Sequence, residues 1–492
     1  ELPDEPFFGY LRGGYTLAEL RTLDDFAARL GIELIGCIQT LGHLEELLQW
    51  ECAYAGITDT RQVLMVDEPA TYRLIEKMLA FWSSALRSRR IHVGMDEAHD
   101  LGRGRFMDRH GHERHFDIFN RHLGRVGDLC RRYGYEMPTI WSDMYFRMGD
   151  PDGSYYGNAP IPPDVQAAIP EYVQLCYWDY DHTDREFYRN YIERHRALSK
   201  NPLMVASGLW TFPKFWYDHN LTRRALAPCV AASRETGVPE LIFAMWGDDG
   251  GYCLYGSALA GIVYALELAW SGAENEEHCA KLYHALTGQD YRRCLEVSRM
   301  ESEGEKEFDF YFYTPSAQLW DDPLLAVAFR GFRKREPKWC ADVLKTYREI
   351  LERCPAGADD PVEWRAILKL VELLELKMRF RLELEEAYLA RSRERLGKLA
   401  AETIPELIGL LDEFSALYRE AWLACAKPFG LEVIQVRTAG VRARLVEAAA
   451  RIREWLDGRI ASIPELDASM HPAAIGYCSN VYRRYSSGSS IK

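Results

Sequence analysis

Along the first half of the chain, helical and strand-like hydrophobic patterns alternate. Thr16-Leu-Ala-Glu19 is a capping box, in which a hydroxyl and a carboxylate are spaced to satisfy each other's free backbone N–H groups. It predicts a helix running to about Leu30, stopped at Gly31. The apolar run Ile32–Ile38 predicts a buried strand. A helix from about Glu68 to Leu86 is amphipathic through Tyr72, Ile75, Leu79 and Trp82. Strand Arg90–Val93, a helix from Glu113 to Tyr133 closed by Gly134, and strand Met137–Trp141 follow. Strand Val173–Trp178 precedes a helix over Asp184–Leu198. Strand Leu203–Ala206, a helix over Thr222–Thr236, strand Glu240–Met245 and a helix over Ser257–Trp270 complete six βα units.

The predicted strands are short apolar runs with little alternation, the pattern of a parallel sheet buried on both faces. Such units build either a doubly wound sheet or a barrel. No GxGxxG follows the first strand, so a dinucleotide site is unsupported. Polar and aromatic residues recur after every strand instead: His43, Asp96 and Glu97, Trp141 and Asp143, Trp178 to Tyr180, Trp210, and Trp246 with Asp248. Barrels assemble active sites from the C-terminal ends of many strands in this way. The predicted class is therefore α/β, a (β/α)8 TIM barrel of which strands three to eight are present. The missing pair is expected upstream of Glu1, where the chain opens without an initiator Met; otherwise the barrel is open. From about Glu274 strand signals vanish. Long helical stretches cover Pro361–Gly397, Ile404–Ala426 and Thr438–Ile463. The expected division is a barrel domain over 1–273 and an α-helical domain over 274–492. The charge run Arg391–Arg395 reads as a solvated helix face, and Arg483–Lys492 as a frayed tail.

The chain's 492 residues accommodate a barrel of about 250 residues plus one further domain. Its composition, 48% hydrophobic and 27% charged, is that of a globular protein. A net charge of −14 argues against nucleic acid or an anionic membrane as the main partner. No run of 18 apolar residues exists, so no membrane span is expected. The 12 cysteines are scattered, without CxxC or zinc spacing. They read as buried thiols of a cytoplasmic protein. The 13 Trp and 28 Tyr supply many flat apolar faces, suited to a sugar cleft as well as to a core.

The strongest chemical signal is His92-Val-Gly-Met-Asp96-Glu97-Ala98. Two adjacent carboxylates end a buried strand. If both face one cleft, their repulsion is expected to raise at least one pKa, as a general acid requires. The plainer reading is a pair of solvated acids capping the next helix. His92, Asp96, Glu97 and His99 match no metal-ligand spacing. Asp248-Asp249-Gly250-Gly251 lacks the acidic alternation of a calcium loop and reads as a turn. Arg103 and Arg105 read as surface arginines, and His99 and Asp100 as caps of the following loop.

The stretch His92–Ala98 resembles the signature of glycoside hydrolase family 20, the β-N-acetylhexosaminidases. Residues His92–Arg105, Cys37–His43, Ile140–Met144, Tyr177–Tyr180 and Met245–Gly250 are similar to a bacterial branch of that family. The resemblance implies exo-acting removal of terminal β-linked GlcNAc or GalNAc, by a retaining, substrate-assisted mechanism without cofactor or metal. In it the 2-acetamido oxygen attacks the anomeric carbon and forms an oxazoline. It implies that Glu97 is the acid/base and that Asp96 holds the acetamido N–H. Trp141, Trp178, Trp210 and Trp246 would box the sugar. Tyr180 is the first choice for the acetamido oxygen, because it shares strand parity with Trp178, and Tyr177 is the second. Asp248 would bind a sugar hydroxyl, and His43 would stand near Glu97. The alternative is a non-catalytic N-acetylhexosamine-binding protein on the same fold. The C-terminal helices are read as a buttress or as a homodimer face.

Overall fold

The computed structural model describes residues 2, 4–302, 315–469 and 482. The chain forms two compact units, Glu1–Ser207 with Pro228–Ile242, and Gly208–Ala227 with Phe243–Lys492. The expected tail at Arg483–Lys492 lies outside the described residues.

In the first unit the capping box forms as read. Thr16 Oγ1 accepts the Glu19 N–H at 3.2 Å, and Glu19 Oε2 accepts the Thr16 N–H at 2.7 Å, opening the helix Leu17–Arg29. Helices Pro69–Ala85, His115–Arg132 and Arg185–Leu198 also lie where their periodicity places them. Gly134 follows the second at φ 81°, a left-handed position that a residue with a Cβ rarely takes.

Six parallel-type units supply strands β1 (Gly36–Cys37), β2 (Ile91–His92), β3 (Thr139–Trp141), β4 (Gln174–Trp178), β5 (Met204–Gly208) and β6 (Glu240–Ala244). They form one sheet in chain order, parallel from β1 to β5. β1 and β6 are its two edges among the described residues, so the sheet does not close. The expected strand Ile32–Ile38 shrinks to two residues. As an edge it has one neighbour, and only Gly36 and Cys37 pair with β2, while Ile32 and Ile35 are exposed.

Strand parity divides the side chains. Ile91, Ile140, Leu175 and Val205 face the helices and pack with Ile75, Leu79, Phe119, Leu123 and Ile192 in the main core. Trp141, Cys176, Met204 and Ala206 face the other way and pack with Trp178 and Ile242. Each fully buried Leu, Ile or Phe contributes about 1.5–3 kcal/mol, so the helix-covered face anchors the sheet and leaves the other for a site.

The second unit is helical. Its longest helices are Val362–Leu389, Ile404–Cys425 and Leu431–Leu456. The first ends eight residues before the expected Gly397. Arg391 takes a left-handed φ of 48°, and Ser392 then caps a new helix, Arg393–Lys398. The charge run thus lies across a turn rather than on one helix face. The third starts at Leu431, earlier than Thr438, behind Gly430 at φ 97°. Among the described residues, no helix is long and apolar enough to cross a membrane.

Lys377, buried in the middle of Val362–Leu389, donates to the carbonyls of Gln318, Leu319 and Asp321 at 2.7–2.9 Å. These are carbonyls at and beyond the end of the short helix Pro315–Trp320, where the helix itself runs out of N–H donors. Burial pushes the ammonium down to about 8 from 10.5. The unfolded chain therefore holds that proton more tightly between about pH 8 and 10.5, and this group makes stability rise with pH across that window. Lys377→Met is expected to destabilise by about 3 kcal/mol at pH 7, because three buried acceptors lose their donor. The shift of the urea midpoint measures it.

Candidate active site

The site is built on the segment that leaves β2. Beyond His92 the backbone stays tied to its neighbours: Val93 donates to Thr139 O at 2.8 Å, Trp141 to Gly94 O at 3.0 Å, and Thr40 Oγ1 to Val93 O at 2.7 Å. Three of the next residues are left-handed, Gly94 (φ 71°), Met95 (76°) and Glu97 (48°), and so is His43 (55°). Left-handed backbone is costly for residues with a Cβ and persists where the surroundings enforce it.

Two glycines of the sequence motifs have a steric cause here. A Cβ on Gly94 would stand 2.0 Å from Gln39 Oε1, and one on Gly42 would stand 2.4 Å from the Asp96 carbonyl oxygen. Gly42→Ala must therefore push the Asp96 backbone aside. Misplacements of about 1 Å at a reacting centre cost about 100-fold, and Gly42→Ala is expected to lower kcat/KM on an aryl N-acetylhexosaminide by about that factor and to lower the melting temperature as well, because the obstructing atom is backbone.

His43 lies between the two carboxylates. Its Nε2 is 3.1 Å from Asp96 Oδ2 and 3.2 Å from Glu97 Oε2, so one N–H is shared by both. Asp96 Oδ1 accepts from Gln39 Nε2 at 2.9 Å. Glu97 Oε1 accepts from the Tyr155 hydroxyl at 2.8 Å, and the Glu97 backbone N–H donates to Asp143 Oδ2 at 3.0 Å.

The bonds to Asp96 and then to Glu97 raise the His43 imidazole to about 10, against the opposing effect of burial. Burial pushes the Glu97 carboxyl up, but hydrogen bonds from His43 and Tyr155 outweigh it and hold it below its ordinary value. The expected repulsion within the pair is thus relieved by a cation between them. The carboxyl that does rise is Asp143, pushed to about 8 by burial and then by the charge of Asp96. His92, buried behind the pair with Trp141 4.2 Å away, is driven down to about 4 by burial.

Strand parity places the aromatics. Trp141 and Trp178 share the face opposite the helices. Tyr180 stacks on Trp178, with centroids 5.3 Å apart at 20°. Tyr177 turns to the helix-covered face, packs against Tyr191 and His195, and donates to Asp179 Oδ2 at 2.8 Å. Asp179 is buried and also accepts the N–H groups of Asp181 and His182, which makes it a turn-former. His99 does not cap a loop; its Nε2 meets the Tyr155 hydroxyl. Arg103 and Arg105 are exposed.

Three expected residues belong to the second unit. Trp210 is 1% exposed, with its ring stacked on Phe212 at 4.6 Å. Trp246 is 37% exposed, and its carbonyl accepts from Thr211 Oγ1 and from the Tyr255 hydroxyl. Asp248 is exposed on a short turn, whose neighbour Asp249 pairs with Arg437 at 3.0 Å.

Residues 304–477 match the Glycoside Hydrolase 20C C-terminal domain. Solved structures similar to this chain include the β-N-acetylhexosaminidase from Streptomyces coelicolor A3(2), at 19% identity over 43% of this chain and 40% of that one, TM-score 0.28. A β-N-acetylhexosaminidase from Bacteroides fragilis NCTC 9343 is 16% identical over 58% and 61%, TM-score 0.42. The Flavobacterium johnsoniae chitobiase is 11% identical over 99% and 70%, TM-score 0.42. The chain thus spans two fifths of the Streptomyces enzyme's length. No curated protein matches it.

Four residues of the cluster are not singled out as site residues by the sequence alone: Gln39, His99, Asp143 and Tyr155. Gln39 stands in the Cys37–His43 segment, and Asp143 is a polar residue just past a strand, so both carry a signal. Tyr155 lies in an irregular stretch where periodicity is silent.

Proposed function

We propose that this chain carries the catalytic machinery of an exo-acting β-N-acetylhexosaminidase on a (β/α)8 barrel, with a barrel domain over 1–273 and a helical domain over 274–492. The substrate is a terminal, non-reducing β-linked GlcNAc or GalNAc. The observation that carries this reading is the Asp96–Glu97 pair at the end of β2, bridged by His43 at 3.1 and 3.2 Å. Two carboxylates tied through one cation differ in exposure, 14% for the Asp96 side chain and 32% for Glu97.

That difference suits a division of labour. Glu97, the more exposed, protonates the leaving oxygen and then takes a proton from water. Asp96, further in and fixed by Gln39, accepts the acetamido N–H and stabilises the positive charge that develops as the acetamido oxygen attacks the anomeric carbon. Such substrate assistance departs from the two-carboxylate scheme of most glycosidases and needs only one protein acid/base. The Trp141 and Trp178 face and the stacked Tyr180 offer apolar platforms to a sugar ring and a methyl group.

Incubation with p-nitrophenyl β-GlcNAc, β-GalNAc and β-glucoside tests this. Nitrophenol is expected from the first two and none from the glucoside, which lacks the acetamido group. Heat of GlcNAc binding without turnover of either substrate would establish a sugar-binding protein instead.

A further inference from the structure

We propose that Tyr155, backed by His99, is a positioning residue for Glu97: its hydroxyl fixes the carboxyl plane and follows the proton that Glu97 gives and takes. The proposal rests on the reading of Glu97 as the acid/base. Glu97 has two oxygens, and the structure assigns each a different neighbour. Oε2 shares the His43 N–H with Asp96. Oε1 receives the Tyr155 hydroxyl at 2.8 Å, and that hydroxyl also meets His99 Nε2.

Tyr155 is held for the purpose. The segment that carries it turns on Asp150, whose Oδ1 accepts the N–H groups of Asp152 and Ser154 at 2.9 and 3.1 Å. The Arg147 guanidinium stands 5.4 Å from the Tyr155 ring centroid and donates to Gly153 O. The Trp178 ring packs 5.2 Å away. His99 is fixed from the other side by its own N–H, which donates to the Glu97 carbonyl at 2.7 Å. Charged and titratable groups around Glu97 are therefore His43, Asp96, Asp143, Tyr155 and His99, with Arg147 behind the tyrosine and Asp100 beside His99.

A tyrosine hydroxyl has one proton to donate, and here it has two acceptors, Glu97 Oε1 and a neutral His99 Nε2. Burial, then the Arg147 charge, lowers the His99 pKa, which keeps that ring neutral over a wider range. When Glu97 is a carboxylate, the hydroxyl donates to it. When Glu97 is protonated, the hydroxyl turns to His99 and its oxygen can accept. Each half of the reaction thus finds a partner for the Oε1 side, and the one proton exchanged, out to the leaving oxygen and back in from water, is carried by Glu97. Donation to the carboxylate also favours its charged form, so Tyr155 sets how alkaline the medium becomes before Glu97 ceases to be an acid.

The test compares Tyr155→Phe with the wild-type chain on methyl β-GlcNAc, whose leaving group needs protonation, and on 2,4-dinitrophenyl β-GlcNAc, whose leaving group does not. The alkaline limb of kcat/KM is expected to move up by about one pH unit, the scale of one lost hydrogen bond to a charge. The kcat for the methyl glycoside is expected to fall about tenfold or more while the dinitrophenyl glycoside changes little. An unmoved limb with equal losses on both substrates would overturn the proposal and leave Tyr155 a packing residue. A wild-type chain that turns over neither substrate would overturn the acid/base reading itself, and the proposal with it.

Discussion

Glu97→Gln is expected to lower kcat on p-nitrophenyl β-GlcNAc by about 10³-fold, within the range that a positioned general acid/base supplies. The substitution is nearly isosteric, and the left-handed backbone at residue 97 is unchanged, so the local fold survives. Its amide can still accept from Tyr155 through its oxygen. The amide nitrogen then faces His43, a donor facing a donor, where Glu97 Oε2 stood 3.2 Å from Nε2. One of the two anions that raise His43 is lost, and the neutral amide cannot exchange a proton with the leaving oxygen or with water. Steady-state release of nitrophenol beside a thermal melt separates chemistry from stability. A variant that keeps a tenth or more of wild-type kcat would show that Glu97 is not the acid/base.

Asp96→Asn is expected to cost about 10²–10³-fold in kcat with a smaller change in KM, as loss of a group that acts on developing charge does. Asp96 receives two donors, Gln39 Nε2 on Oδ1 and His43 Nε2 on Oδ2. An asparagine satisfies one of them and opposes the other. The variant also removes the largest cause of the raised His43 pKa. The sign follows from linkage. His43 has a folded value of about 10 against 6.5 unfolded, so its stabilising contribution is fully present below pH 6.5 and is lost as pH rises towards 10. In Asp96→Asn that window contracts, and the wild-type decline in melting temperature over that range should flatten. An equal rise in KM with kcat unchanged would mean that Asp96 only binds ground-state sugar.

What the sequence made legible was local. The capping box of Thr16 and Glu19 could be read down to its two hydrogen bonds, because both partners lie within one helical turn. Strand parity placed Tyr180 with Trp178, since a period of two fixes the face whatever the surroundings. The length of β1 was not legible, because pairing is non-local and Ile32–Ile35 carry a strand pattern without a second neighbour. The two carboxylates stood out as adjacent acids, yet their electrostatics depend on His43, more than fifty residues upstream. Tyr155 reaches Glu97 from an irregular segment set by Asp150 and Arg147, where no hydrophobic period exists to be read.

The origin of the nucleophile is tested most directly by a series of p-nitrophenyl β-GlcNAc substrates carrying one, two and three fluorines on the acetamido methyl. Each fluorine weakens the acetamido oxygen without touching the leaving group or the protein. Substrate assistance predicts that kcat falls steeply and steadily along the series. A flat series would contradict it and would require a nucleophile from the protein or from water.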